Sequence, residues 1–528
     1  MVAPLNRIDL LFRHNASTLA DSTHLILADG SRQSYGQTYE RAARVAAALV
    51  AAGVAPGDRV MVLMGNSREL VEMYVACSLA AAICVPVNVL TTARELSDTA
   101  ADCMPAAVFV QHALLDRVPQ LLRHVRLNVV TQGQAPGWQA YDDLLAGTQP
   151  LTRAASADAE AAAVMIYSSG TTGKPKGILL RQRGVMENAH MTNLVLRYQA
   201  SDTALAMLPL FSSFGFCFDF LMPAQAGART VILPKFDPQH AIELIERHRV
   251  TLLAGVPTMY ARLFEPNNLA SRDYSSLRLM DVGGGPVSDR LKHDLREMNR
   301  IEIVESYGLS EISPVASVQV PFCKHTPGAC GQPLPGIEVK VLGPGGQELP
   351  PGTPGEFCFR SSTFMIGYWN QPEATERTLR GGWLHSGDIG TVDEDGELSV
   401  RDRLKDIIVS SGYNVYPKEV ENALCEHEAV QSAAVIGVPD EVRGENVHAF
   451  VVLKPDRRAS APELIAHCAA LIGKHKLPRD VSFVDQLPLT ASGKIQRFEL
   501  RAMGPKGIRE IREVPREAEG NTQAGRAG

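Results

Sequence analysis

The segment Tyr167-Ser168-Ser169-Gly170-Thr171-Thr172-Gly173-Lys174-Pro175-Lys176-Gly177 continues an apolar run that begins at Val164. Its three glycines let a backbone turn tightly and point N–H groups inward, while four Ser and Thr hydroxyls and two lysines add donors and positive charge. Such a loop is suited to an oligophosphate; a solvent-exposed turn is the plain alternative for the same composition. It is not the common Gly-Lys-Ser/Thr phosphate loop. Ser168 stands where that pattern needs its first glycine, and Pro175 follows Lys174 where a hydroxyl residue belongs. Gly283-Gly284-Gly285 likewise fails as a dinucleotide fingerprint, because Ser288 occupies the third glycine position.

Further segments with chemistry-bearing residues follow in order. Leu208-Pro209-Leu210-Phe211-Ser212-Ser213-Phe214-Gly215-Phe216 is apolar with two hydroxyls. Tyr307-Gly308-Leu309-Ser310-Glu311 sets a ring and a carboxylate four residues apart. Gly382-Trp383-Leu384-His385-Ser386-Gly387-Asp388 ends on a side chain that, ionised, accepts from two hydroxyls. Arg403-Leu404-Lys405-Asp406 precedes Gly412-Tyr413-Asn414 and Pro417, and Pro488-Leu489-Thr490-Ala491-Ser492-Gly493-Lys494-Ile495 comes last. With Gly284-Gly285-Pro286, these segments resemble the signatures of the adenylate-forming superfamily: acyl- and aryl-CoA synthetases, peptide-synthetase adenylation domains and beetle luciferases. The resemblance runs from about residue 25 to about residue 501. Ser310 replaces the usual Thr, Gly285 the usual Ala and Ser212 the usual His.

The resemblance implies roles for these positions. Ser168, Ser169, Gly170, Thr171, Thr172, Gly173 and Lys174 would grip the phosphates of ATP. Gly284, Gly285, Tyr307, Gly308 and Ser310 would border the adenine, with Tyr307 stacked on it. Asp388 would bind the ribose and Arg403 a phosphate or the ribose, while Glu311 would hold Mg2+. Lys494, by the same match, bridges the acid and the α-phosphate, giving orientation and charge because an ammonium has no lone pair for base catalysis. Lys494, Glu311 and Arg403 are thus the implied catalytic set. Lys405 would be the hinge of a rotating lid, and Gly412 would leave room for the thiol-bearing arm of CoA. Phe211, Ser212, Phe214, Gly215 and Gly284 would line the acid's pocket.

Taken alone, Lys494 reads as a surface lysine, Asp388 as a turn aspartate and Arg403 as an interdomain ion pair. Phe214, Phe216, Phe218 and Phe220 alternate with period two, which suits either an acyl slot or core packing. The implied function is an ATP-dependent carboxylic acid–CoA ligase, forming an acyl-adenylate and then a thioester, with ATP, Mg2+ and CoA as its small molecules. Its main rival is an adenylate-forming ligase that hands the acyl group to a carrier protein or a nitrogen nucleophile. A non-catalytic binding protein on the same fold is a third reading, against which intact Lys494, Glu311 and Asp388 stand. Which acid is used, aliphatic or aromatic, is not fixed by these residues.

The elements that must position them read as α/β. Residues 107–111, 164–167, 230–234, 252–256 and 279–282 are apolar runs bounded by Gly, Pro or polar residues, as buried strands are, and 239–250 keeps a helical period. Such alternation argues for a large α/β domain with stacked, buried sheets. Residues 321–400 are rich in Gly and Pro. Strand-like pieces at 338–342 and 355–360 and a turn at Asp393-Glu394-Asp395-Gly396 predict a β-rich lobe, barrel or meander. Beyond Arg401, helices at 417–425 and 462–472 and strands at 433–438 and 449–453 predict a small α+β lid. The expected division is 1–402 for the large domain, 403–503 for the lid and 504–528 for a disordered tail.

Composition narrows the class. Of 528 residues, 45% are hydrophobic and 21% charged, a globular balance with chain enough to bury a core without disulfides or metals. Lys plus Arg number 52 against 58 Asp plus Glu, so the net charge of −6 gives no basic excess for nucleic acid. The most apolar stretch, 74–85, is shorter than the roughly 20 residues a bilayer span needs. Arg7, Asp9 and Arg13 interrupt any signal-peptide core, and the nine cysteines form no Cys-x-x-Cys pair. Cys323, His325 and Cys330 fit no common zinc spacing. The expectation is a cytoplasmic protein with free thiols, a small carboxylic acid as substrate, no nucleic-acid partner and no membrane span. A homodimer is one assembly it would allow.

Overall fold

The computed structural model describes residues 5–155, 158–168, 176–265, 268, 271–284, 292–293, 301–404, 406–410, 413–440, 443–489 and 495–503. Described residues up to Leu404 form one unit, and 406–489 with 495–503 form a second.

Short apolar runs of the larger unit become two broad sheets. The nine-stranded sheet has a parallel centre, in the order Glu302–Gly308, Leu279–Gly283, Leu252–Gly255, Thr203–Ala206, Arg229–Ile232 and Thr23–Ile26. Antiparallel strands close both of its ends. The eight-stranded sheet runs Gly367–Tyr368, Lys176–Arg181, Ala162–Ser168, Ile83–Pro86, Arg59–Leu63, Ala107–Gln111, Leu127–Thr131 and Gln139–Ala140. Only its first two pairings are antiparallel. Buried parallel strands need no alternation, and Leu252–Gly255 and Ile83–Pro86 are buried at every position. One continuous core joins both sheets and their helices.

The apolar stretch 74–85 is the end of a helix, Arg68–Leu79, followed by the strand Ile83–Pro86. That helix is capped by Ser67, whose hydroxyl accepts from Leu70 N–H, and is buried from Glu69 to Leu79. No helix among the described residues is long and apolar enough to cross a membrane. The phenylalanine-rich segment folds as helix rather than strand: Phe216–Leu221 winds as a single π-turn inside a helical run from Ser213 to Ala226. Phe216, Phe218 and Phe220 are buried. Phe220 stacks on Phe12 and Tyr74 with ring centres 5.5 and 5.3 Å away. Only Phe214, half-buried, stays at the edge of the core.

Residues 321–400 distribute themselves over three sheets. Gln332–Pro333 ends the nine-stranded sheet and Gly367–Tyr368 the eight-stranded one. Glu338–Leu342, Gly355–Arg360, Trp383–Val392, Leu379–Arg380 and Leu398–Arg403 form a five-stranded antiparallel sheet. Its last hairpin turns at 393–396, where Gly396 takes a left-handed φ of 79°.

In the second unit, Pro417–Cys425 and Ala461–Leu471 are helices beside a five-stranded sheet whose longest pair is Val430–Asp440 with Gly444–Leu453. Ser460 and Glu463 form a capping box at the start of the second helix.

Candidate active site

The hydroxyl-rich loop leaves and re-enters the eight-stranded sheet through one antiparallel pair, with Tyr167 opposite Gly177 and Ser168 opposite Lys176. Its stem is held from the side. The Tyr167 hydroxyl donates to Asp102 Oδ2 at 2.5 Å, and Trp369 Nε1 donates to the Asp102 carbonyl at 3.0 Å. Ser169, Gly170, Thr171, Thr172, Gly173 and Lys174 lie outside the described residues, as do Gly285, Lys405, Gly412 and Lys494; of Ser168, only the backbone is described.

Tyr307 and Gly308 end a strand of the nine-stranded sheet. A Cβ on Gly308 would lie 2.0 Å from the Pro314 carbonyl oxygen, so only glycine fits there. A 3-10 turn, Ser310–Ile312, follows and carries Glu311. Two buried asparagines, distant in sequence, fix the surrounding loops. Asn188 donates from Nδ2 to the carbonyls of Ile312 and Val315 (3.1 and 2.8 Å) and accepts from Val315 N–H at 3.0 Å. Asn66 donates to the carbonyls of Ala206, Leu208 and Leu233 and accepts from Leu210 N–H, holding the start of the expected acid-binding segment.

The Tyr307 hydroxyl donates to Asp388 Oδ2 at 2.6 Å, and Arg403 Nε lies 3.2 Å from Asp388 Oδ1. Asp388 and Arg403 face each other across paired strands. The Tyr307 ring packs near Phe357 and Phe359, with centres 5.8 and 6.1 Å away. Burial, with the Asp388 carboxylate second, holds its phenol well above the usual range, so it remains a donor. The turn before Asp388 is fixed by Glu356, which accepts from Gly387 N–H at 3.1 Å, and by Ser386, which donates to the Phe357 carbonyl at 2.8 Å. Glu356, Cys358 and His385 place donor atoms within 4.8 Å of one another, but Arg380 Nε already donates to His385 Nε2 at 3.1 Å. A guanidinium serves that cluster, which reads as support for the turn.

Glu311 is half-buried, and its Oε1 accepts from the Tyr368 hydroxyl at 2.8 Å. Lys176, at the loop's exit, sits 5.0 Å above the Tyr368 ring. Burial raises the Tyr368 phenol, as does Glu311. A cavity of about 300 Å3 opens here, lined among others by Leu309, Glu311, Tyr368, His385, Ser386 and Leu404. As a half-exposed hard oxygen donor beside this space, Glu311 fits a Mg2+ ligand. A second hollow, about 440 Å3, lies in the smaller unit beside His448 and Arg479 and holds none of the expected residues.

In the expected acid segment, Phe211, Ser212 and Phe214 are half-buried. Ser212 caps the short helical turn after it: its hydroxyl donates to the Pro209 carbonyl at 2.7 Å and accepts from Gly215 N–H at 3.2 Å. A Cβ on Gly215 would lie 2.4 Å from the Pro209 carbonyl oxygen. Ser213 and Ser310 share a hydroxyl–hydroxyl bond of 2.7 Å, which joins this segment to the Glu311 turn. The Phe214 ring covers Gly283, where a Cβ would come within 2.7 Å of it, and Gly284 follows with a φ of 81°. Tyr368, Asn66 and Asn188 belong to no motif read from the sequence; of them only Tyr368, next to Gly367 and an exposed turn, gave a local hint.

Layered α/β sheets that set the Tyr307 ring, the Asp388 hydroxyl acceptor and the Glu311 carboxylate on neighbouring elements suit an enzyme that binds a nucleotide. The chain belongs to the AMP-binding enzyme family, whose model matches residues 12–369, while residues 419–494 match the AMP-binding enzyme C-terminal domain. It is 35% identical to a fatty acid–[acyl-carrier-protein] ligase, ScoC, of Streptomyces coeruleorubidus, over 91% of this chain and 93% of that protein. With a feruloyl-CoA synthase of an Amycolatopsis species it shares 36% identity over 89% of this chain and 94% of the relative. Among solved structures, the anthranilate CoA ligase AuaEII in complex with anthranoyl-AMP superposes with a TM-score of 0.87 at 30% identity. The match covers 95% of this chain and 98% of that one.

Proposed function

We propose that the chain activates a carboxylic acid with ATP and passes the acyl group to the thiol of CoA, releasing pyrophosphate and then AMP. One observation carries the reading: three motifs far apart in sequence border a single cavity. Leu309 and Glu311 come from one, His385, Ser386 and Gly387 from another, and Leu404, beside Arg403, from the third. Relatives named as CoA ligases over nearly the full chain support it.

A free carboxylate cannot acylate a thiol, because its leaving group would be oxide. Attack of a carboxylate oxygen on the α-phosphorus breaks the bond to pyrophosphate and makes a mixed anhydride; thiol attack on its carbonyl carbon then expels AMP, a weakly basic leaving group. Two anions must meet in the first step, so orientation and positive charge dominate the catalysis. In this assignment Tyr307 bears the adenine and the Asp388 carboxylate the ribose hydroxyls, with Arg403 holding that carboxylate. Residues 168–174 take the outer phosphates, and Lys494 aligns the two reacting anions. Glu311, steadied by Tyr368, would hold Mg2+, which when bound offsets phosphate charge. Lys405 as hinge between residues 1–402 and the lid, Gly412 at the CoA arm, and a cytoplasmic setting for the free thiols complete the proposal.

The likeness to a carrier-protein ligase favours one second reading, in which the acyl-adenylate is passed to a carrier thiol. A panel of carboxylic acids assayed for AMP release with and without CoA tests both. CoA-dependent AMP release supports the ligase; pyrophosphate release that CoA does not follow with AMP favours another acceptor.

A further inference from the structure

The stem of the hydroxyl-rich loop is tied to a carboxylate that belongs to neither of its strands. Asp102 lies in the last turn of the 11-residue helix Ala93–Cys103. The terminal carbonyls there carry the negative end of the helix dipole, so a neutral or basic residue would suit the position better. Arg59 offsets part of the conflict, donating from Nε and Nη2 to the carbonyls of Cys103 and Met104 at 2.7 and 3.0 Å. The acid at this helix end answers to a partner outside the helix.

That partner is the pair of limbs from which the loop springs. On the entry limb, the Tyr167 hydroxyl donates to Asp102 Oδ2 at 2.5 Å. Burial first, and the bond to Asp102 second, hold this phenol above its usual range, so it stays a donor. The Tyr167 ring lies against Gly177 of the exit limb, where a Cβ would stand 3.1 Å from Cζ of the ring. Trp369 reaches the same limb, its N–H donating to the Gly177 carbonyl at 2.7 Å. From its other side, Trp369 Nε1 donates to the Asp102 carbonyl at 3.0 Å. Arg59 closes the cluster, with its guanidinium carbon 5.2 Å from the centre of the Trp369 ring. The side chain of Asp102 thus holds one limb, and its carbonyl, through Trp369, holds the other.

Resting on the reading above in which residues 168–174 take the outer phosphates, we propose that Asp102 is a positioning residue for ATP. By fixing Tyr167 and Trp369 it sets the spacing and direction of both limbs before the nucleotide arrives. Limbs fixed in advance spare the ligand the cost of ordering them. The benefit goes to a ligand with β- and γ-phosphates; AMP, which lacks them, would not feel it.

The test measures Kd for ATP and for AMP on the full-length protein, with excess Mg2+ and no acid, together with the melting temperature. Asp102→Leu and Tyr167→Phe should each weaken ATP by about tenfold or more, as loss of a hydrogen bond to a charged group does, and leave AMP nearly unmoved. Asp102→Asn, whose amide oxygen still accepts from the phenol, should recover much of the ATP affinity. Because the two residues act through one bond, the double variant should bind ATP no more weakly than the worse single one. A brace that serves only the fold would lower the melting temperature and weaken ATP and AMP alike. That result, or ATP affinity unmoved by Asp102→Leu and Tyr167→Phe, overturns the proposal. Lys174→Ala tests the reading beneath it and should weaken ATP while sparing AMP. If Lys174→Ala does so and the Asp102 and Tyr167 variants do not, Asp102 alone loses its role. If Lys174→Ala leaves ATP affinity unmoved, the loop does not hold the phosphates and both fall together.

Discussion

The phenol of Tyr307 donates to the carboxylate of Asp388 at 2.6 Å although 81 residues separate them. The bond ties the end of the nine-stranded sheet to the five-stranded one and sets the ring and the carboxylate as a pair. Tyr307→Phe keeps the ring and deletes the bond. A hydrogen bond to a charged group contributes about 1.5–3 kcal/mol, so KM for ATP should rise by about tenfold or more. Because burial keeps this phenol protonated, the ratio of variant to unaltered enzyme should be flat between about pH 6 and 9. A ratio that changes across that range would contradict the assignment.

Glu311, in its 3-10 turn, is aimed by a residue from a strand distant in sequence: the Tyr368 hydroxyl holds its Oε1 at 2.8 Å, and Lys176 covers the Tyr368 ring. Tyr368→Phe leaves the ring and the cation above it. The variant should need more Mg2+ for half-maximal adenylate formation and lose about tenfold in rate at limiting Mg2+, with partial recovery at excess. An unchanged Mg2+ dependence would reduce Tyr368 to a packing residue.

Local patterns were readable in the sequence, and long-range ones were not. The strands Glu338–Leu342 and Gly355–Arg360 and the helix Pro417–Cys425 match their expected bounds, because Gly and Pro flank the strands and Pro417 stands in the first turn of the helix. The strand expected at 230–234 stops at Ile232, before Pro234, which has no N–H for a ladder. Alternation at Phe214, Phe216, Phe218 and Phe220 imitates a strand, yet the segment is helical. A helix buried at every position, as Phe216–Leu221 is, shows no 3.6-residue stripe. Tyr307, Glu311 and Asp388 were visible because each sits in a compact motif. Tyr368, Asn66 and Asn188 act across 57, 140 and 127 residues, so no local spacing announces them.

Two substitutions outside the described residues should separate the half-reactions. The family resemblance gives Lys494 to adenylate formation and Gly412 to the approach of the thiol. Lys494→Ala should lower pyrophosphate release by about 100-fold or more, as loss of a preorganised charge at the reacting centre does. It should leave thioester formation from supplied acyl-adenylate largely intact. Gly412→Leu should do the opposite, sparing ATP–pyrophosphate exchange and blocking the thioester. Equal losses in both half-reactions for either variant would break the division of labour.

His24 gives the larger unit a defined acid sensitivity. It is 1% exposed, with Nδ1 3.0 Å from the Thr38 hydroxyl and its ring stacked on Tyr35 at 4.4 Å. Burial alone drives its pKa down to about 3, from 6.5 in the unfolded chain. Between those values the unfolded state binds the extra proton, so stability is level above about pH 6.5 and falls as the solution is acidified. The fall approaches 1.4 kcal/mol per pH unit, or about 2 kcal/mol between pH 6.5 and 5. Urea unfolding of the unaltered protein and of His24→Phe, at about pH 7.5 and 5, isolates this contribution. His24→Phe keeps a ring for Tyr35 and removes the titrating group, so its loss on acidification should be smaller by about 2 kcal/mol. Parallel losses in the two proteins would show that His24 is protonated in the folded state without penalty.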